Sequence, residues 1–248
     1  IIGPAIGGVI VAALGEAPTF AVNGATYLAV IFALMMIRIQ TGGDTSTEPP
    51  IDQLKASFRY IFSEKNILSL VLLVAAFSMV GFGALTLIPV FAKDILKIGV
   101  TGFGQLLSWQ GVGALIGGGL LVLFGDSFHK GRHLLFSRLV IGPGIIGLAI
   151  SRTPWVSMGL MALLGFSLIT QLVITNTLIQ TIVPDDLRGR VLSAYTWALG
   201  GFYPLGSLLM GALGDKIGAP TSALISGAGC ILIITLNLIL HPSIHKLN

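Results

Sequence analysis

Stretches of about twenty apolar residues recur along this chain with short polar breaks between them, and that repetition leaves few folds open. A bilayer core is roughly 30 Å thick and a helix rises about 1.5 Å per residue, so each stretch can cross it once. Eight runs emerge, near 1–14, 19–38, 67–91, 101–124, 134–151, 155–180, 191–213 and 219–240, the first shorter than a full crossing. The breaks carry turn and cap chemistry: Gly15-Glu16-Ala17-Pro18, Gly99-Val100-Thr101-Gly102, Lys130-Gly131-Arg132, Arg152-Thr153-Pro154, Pro184-Asp185-Asp186 and Gly214-Asp215-Lys216. Links this short make neighbouring helices antiparallel. Ile1 to Leu14 has neither a starting Met nor a basic leader and is expected to be the end of a helix that begins upstream. The expected fold is all-α, a polytopic helical bundle whose main partner is the lipid bilayer.

Composition removes the competing classes. With 54% hydrophobic and 10% charged residues over 248 positions, the chain carries more apolar surface than one water-soluble core can hide. Its net charge of +4 is not gathered into a basic cluster interleaved with aromatics, so no nucleic-acid partner is expected. Cys230 stands in an apolar run, which leaves neither a disulfide framework nor a cysteine metal site, and no cofactor is expected. His129, His133, His241 and His245 all fall in loops or the tail, and neither a zinc-binding His-Glu-x-x-His nor a phosphate-cradling Gly-x-x-x-x-Gly-Lys-Ser/Thr occurs. Gly165-Phe166-Ser167-Leu168 holds a serine but no base within reach of it, so the chain does not read as an enzyme. A channel would show a charged ring or a short re-entrant segment, and neither is visible.

The long connection, residues 39–66, divides the chain. It opens with the Gly/Thr/Glu/Pro-rich Thr41–Pro50, then places Ile51, Leu54, Phe58, Ile61 and Phe62 at helical spacing, as an amphipathic helix lying on a membrane surface would. Residues 1–38 then hold two helices of one bundle, 39–66 are a cytoplasmic linker, and 67–248 hold six helices of a second bundle. Arg38, Lys55, Arg59, Lys65, Lys130, Arg132, Arg138, Arg188, Arg190 and Lys246 fall on one side of the implied topology, and Lys93, Lys97, Arg152 and Lys216 on the other. The richer side is expected in the cytoplasm, with the C-terminus there too, in a multi-pass protein of the cell's inner membrane. Offsetting the chain by 199 aligns Gly7 with Gly206, Ala13-Leu14-Gly15 with Ala212-Leu213-Gly214 and Glu16 with Asp215, a weak internal repeat of the kind secondary transporters carry.

Gly3-Pro4-Ala5-Ile6-Gly7-Gly8 in the first run and Val183-Pro184-Asp185-Asp186-Leu187-Arg188-Gly189-Arg190-Val191 near the end give the chain a familiar outline. In these features it resembles the major facilitator superfamily, and within it exporters similar to enterobactin exporters and macrolide-efflux proteins. The resemblance implies that Gly3, Pro4, Gly7 and Gly8 are an antiporter signature in helix five of twelve. It implies alternating access that exports small organic molecules such as siderophores or drugs, coupled to a proton or other ion. Gly125-Asp126-Ser127-Phe128-His129-Lys130-Gly131-Arg132 matches the family's corresponding loop only loosely. The alternative is a membrane receptor or scaffold of the same fold that moves nothing.

Polar side chains in lipid are expensive, so the few present are the candidates for a substrate path. They are Ser78 and Phe82 in one run, Gln105, Trp109 and Gln110 in the next, and Ser167, Gln171 and Thr175 at i, i+4, i+8 of a third, with Asn176 on another face. Amides beside aromatics suit a large uncharged or polyhydroxylated aromatic molecule. The simpler reading is that each bonds only a neighbouring helix. Asp126 with Arg132, and Asp185 and Asp186 with Arg188 and Arg190, are candidates for a cytoplasmic gate of ion pairs. Arg138, about one turn into its run, is expected to snorkel to the cytoplasmic headgroups. Every Asp and Glu lies in a loop or at a helix end, so a carboxylate that titrates within the membrane is expected upstream of Ile1. Topology reporters inserted at Thr45 and fused after Asn248 should both report the cytoplasm, while one at Lys97 reports the opposite compartment; a split between the first two breaks the expected threading.

Overall fold

The computed structural model describes residues 16–36, 59–124 and 130–240. The first run, most of the 39–66 connection, Gly3, Pro4, Gly7, Gly8 and Asp126 lie outside these, as does the side chain of Asp186. Seven helices follow: α1 (Glu16–Met36), α2 (Lys65–Ile95), α3 (Gly99–Phe124), α4 (Lys130–Ile150), α5 (Pro154–Ile182), α6 (Asp185–Ile217) and α7 (Ala219–Leu240). No strand occurs among the described residues. The fold is all-α, with α2, α3, α4, α5 and α7 long and apolar enough to cross a membrane. The 33-residue α6 is less apolar than these, yet packs against α2, α5 and α7.

Two segments read as loops are helical. Lys130-Gly131-Arg132 begins α4, and Asp185 to Arg190 forms the opening of α6. Extended Pro184, with ψ 149, ends the preceding connection, and acidic residues directly after it suit the positive end of the helix. Residues 59–63 are also helical, and there Ile61 is buried in the bundle while Phe62 stays exposed. The end of the expected amphipathic segment is therefore anchored by protein as well as facing outward.

Six helices build one bundle with two stacked apolar cores. Ile61, Ile67, Leu70, Val74, Leu134, Ile174, Leu178, Val191 and Tyr195 form one. Phe77, Leu87, Phe91, Leu106, Ile141, Met161, Leu164, Met210 and Ile234 belong to the other. Each α4 and α5 residue in these sets alternates ends as antiparallel helices demand: Leu134 then Ile141 up α4, Leu164 then Ile174 down α5. Between them sits a layer of buried polar side chains: Ser137 and Arg138 of α4, and Ser167, Thr170 and Gln171 of α5.

Glycines set how closely the helices approach. A Cβ on Gly113 of α3 would lie 1.7 Å from the Ala162 carbonyl oxygen of α5, and one on Gly165 would lie 1.9 Å from that of Gln110. Gly206 of α6 meets the Met79 carbonyl of α2 at 2.0 Å in the same sense, and Gly142 of α4 faces the Gly227 carbonyl of α7 at 2.8 Å. With lipid as apolar as leucine, such backbone-to-backbone packing supplies the attraction that the hydrophobic effect supplies in water.

α2 is irregular where it crosses α6. Regular helix over Lys65–Phe77 gives way to a π turn over Ser78–Phe82, a 3-10 stretch over Gly83–Leu87 and a second π turn over Phe91–Ile95. Pro89 has no N–H, and the Ile88 amide bonds the Leu85 carbonyl in its place, the tighter 3-10 pattern. Neighbouring helices also occupy this segment's polar groups: Ser226 of α7 donates to the Val80 carbonyl at 2.6 Å, and Ser78 donates to the Leu199 carbonyl of α6. Irregular backbone survives at membrane depth only with such partners. Gly113→Ala or Gly165→Ala should lower the thermal midpoint of purified protein in detergent, by about 1–3 kcal/mol of overpacking. Gly118→Ala, with open space around its new Cβ, should leave it unchanged.

Candidate functional site

The candidate polar residues separate into a buried set and an open set. Ser78 is fully buried and spends its hydroxyl on Leu199, so it ties α2 to α6. Phe82 is half-buried one turn on. Ser167, Gln171 and Thr175 do share a face of α5, and all three are buried at 1% exposure or less. They look into the bundle and not onto an open path.

The open set lies on α3, α5 and α6. Gln105 and Trp109 are exposed on α3, and half-buried Gln110 lines a crevice of about 310 Å³ with Leu107 and Gly111 opposite Gly165, Leu168 and Leu172 of α5. Asn176 accepts a hydrogen bond from the Gln180 amide one turn further along α5. Both line a groove of about 450 Å³ with Thr177 and, from α6, Tyr195, Thr196 and Leu199. The surface continues along α6 past Ser193, Thr196, Trp197, Gly200 and Gly201, where a second depression measures about 630 Å³. Trp197 is 76% exposed, the most exposed aromatic of α6. Sequence reasoning missed this strip, although Ser193, Thr196, Trp197, Gly200 and Gly201 already stood there at helical spacing.

At the end where α5 meets α6, Arg188 pairs with Asp185 at 2.5 Å across one turn of the same helix. Arg190 is half-buried nearby. Arg132 is exposed on the first turn of α4 and lines a cleft of about 360 Å³ with His133, Phe136, Phe166 and Thr170. The ion pair of Arg188 thus closes within one turn of α6, between two of the residues expected to pair.

Arg138 departs most from expectation. It does not snorkel: the side chain is 1% exposed, among the largest fully buried in the molecule. Its helix turns that position towards α5, where Nη2 lies 3.3 Å from Thr175 Oγ1. Arg138 stands eight residues into Lys130–Ile150, and the helices packed around it enclose its head inside the bundle. No group of three or more metal-ligating side chains occurs among the described residues.

Comparisons with known proteins agree with this architecture. The model of a family described as "Transmembrane secretion effector" matches residues 1–247. The multidrug efflux pump Tap of Mycolicibacterium fortuitum is 29% identical, covering 88% of this chain and 54% of its own length. The enterobactin exporter EntS of Citrobacter koseri is 25% identical, covering 94% of this chain and 56% of its own. The chain thus spans about half the length of the curated relatives it matches. A crystal structure of a bacterial homologue of the human lysosomal transporter Spinster, inward-facing and unoccupied, superposes with a TM-score of 0.53 at 16% identity, over 92% of this chain and 56% of that one. That likeness carries the fold. With a family model matched along nearly its whole length and a bundle of apolar helices to go with it, the chain belongs to the transmembrane secretion effector family of the major facilitator superfamily, a family of membrane transporters.

Proposed function

We propose that the protein is part of a secondary active exporter that moves small organic molecules out across the inner membrane by alternating access, and that it is not an enzyme. The observation that carries this reading is the strip of polar and aromatic side chains left open on α5 and α6, from Asn176, Thr177 and Gln180 to Thr196 and Trp197. A surface of amides, hydroxyls and an indole on otherwise apolar helices costs free energy against lipid and gains it against water and solute. Facing a second bundle, it forms half of a central path. Gln105, Trp109 and Gln110 of α3 extend that path, and its chemistry suits an uncharged or polyhydroxylated aromatic substrate such as a siderophore or drug.

In this reading residues 1–38 belong to the first bundle, 39–66 to a cytoplasmic linker and 67–248 to the second bundle, with the C-terminus in the cytoplasm. Gly3, Pro4, Gly7 and Gly8 form the antiporter signature, and Arg132, Arg188 and Arg190 with Asp126, Asp185 and Asp186 work at the cytoplasmic gate. Ser78, Phe82, Ser167, Gln171 and Thr175 support the path from behind. Among the described residues no Asp or Glu is buried, so the carboxylate that would couple a proton comes from outside them.

In a bacterial host stripped of its own pumps, the full-length protein should lower the steady-state accumulation of a fluorescent aromatic drug. Trp197→Ala should restore accumulation, weakening export on the order of tenfold, the equivalent of about 1.4 kcal/mol, at equal membrane abundance. Wild-type protein that inserts normally but leaves accumulation of every substrate tested unchanged would point to the receptor alternative.

A further inference from the structure

The charge budget of the bundle interior does not close. Arg138 remains a cation in proteins, and here it is buried at 1% exposure between two apolar cores. Its Nη2 has one long bond to a neutral hydroxyl, Thr175 Oγ1 at 3.3 Å, while Nε and Nη1 have no partner. One turn along α5 on Thr175's face, Gln171 leaves its side-chain oxygen unpartnered, and a further turn on Ser167 leaves its hydroxyl so. Tyr195 of α6 stands within electrostatic reach of the guanidinium, but its hydroxyl faces the Leu172 carbonyl at 3.4 Å. Among the described residues, Arg138 is the one charged side chain that is buried.

A buried charge without a counter-charge costs several kcal/mol, and inside the bundle neither bulk water nor a headgroup reaches Arg138 to relieve it. Water can bridge Gln171 to the free guanidinium nitrogens, but it brings no negative charge. An anion brings both. Guanidinium N–H groups supply donors in a fixed fork, Thr175 adds a hydroxyl, and the Gln171 amide can turn its NH₂ inward, because which end points where follows the local bonding.

We propose that Arg138, Thr175 and Gln171 form a buried site for one small monovalent anion between α4 and α5. The ligand is a halide from solution or the carboxylate end of a small organic molecule. Both satisfy the same donors. The site stands on the bundle's interior alone, independent of whether the open strip on α5 and α6 carries a substrate. Its function is to hold the mid-bundle layer together by completing the charge of Arg138.

The test is thermal unfolding of the purified full-length protein in detergent, at constant ionic strength, as gluconate is replaced by chloride or by formate. Gluconate is the reference because its long hydroxylated chain does not fit a closed interior. The expected result is a saturable rise in Tm of roughly 2–4 °C with chloride, formate or both. Chloride alone identifies an inorganic ion, and formate alone a carboxylate ligand. Arg138→Gln should abolish the rise, whereas Arg132→Gln, which changes an exposed guanidinium, should retain it. Should Arg138→Gln not fold, Arg138→Lys decides: it keeps the charge but loses the fork, so half-saturation should move to higher concentration. Equal Tm in all three salts overturns the site, as does an undiminished rise in Arg138→Gln or an unmoved half-saturation in Arg138→Lys.

Discussion

Lipid offers no hydrogen bonds, so every polar group that enters the bilayer must find its partner inside the protein. The rest of the structure follows from that. Helices satisfy their own backbones, which is why the described chain is built from them and their short connections. Where α2 departs from regular helix around Pro89, hydroxyls from Ser78 and Ser226 bond the carbonyls of Leu199 and Val80 and join α2 to its neighbours. Without a hydrophobic drive between helices, close approach at Gly83, Gly113, Gly165 and Gly206 provides the packing energy instead.

The same constraint explains where function can sit. Polar residues that end in the bundle, such as Thr175 and Asn237, are there at a cost and tie helices together; Asn237 of α7 donates to the Ser69 hydroxyl of α2 at 2.8 Å. Those left open, from Asn176 and Gln180 to Thr196 and Trp197, have no such duty within the bundle. The division lies one helix face apart on α5: Thr175 looks inward and Asn176 outward. The chain's relatives in the major facilitator superfamily include a multidrug efflux pump and an enterobactin exporter, and under the proposed function the outward strip faces a second bundle.

The spans were legible because each apolar run had to match a fixed thickness of lipid. The observed α7 begins at Ala219 and ends at Leu240 as the run does, and α3 and α5 differ from their runs by two residues or fewer at either end. The starts of α4 and α6 were misread because charged residues look like loop in a hydropathy pattern, although helices continue past the membrane surface through Lys130 and Asp185. Arg138 was misread for a different reason. Whether a charged side chain escapes to the headgroups depends on the rotation of its helix about its axis, and that is set by packing against α5 and α7, which one helix's sequence does not carry. The strip on α6 does not stand out in the sequence because Ser, Thr and Gly also serve ordinary helix contacts, and the depression beside them is visible only in the folded bundle.

The central claim is that α2 to α7 thread the bilayer as one bundle, with the polar layer of Ser137, Arg138, Ser167 and Gln171 near its middle. Polarised infrared spectroscopy of the protein in oriented bilayers measures this most directly, through the dichroism of the amide I band. Helices tilted on average about 20° from the membrane normal should give strong dichroism along that normal. Dichroism in the membrane plane, or none at all, would contradict a spanning bundle and every assignment built on it.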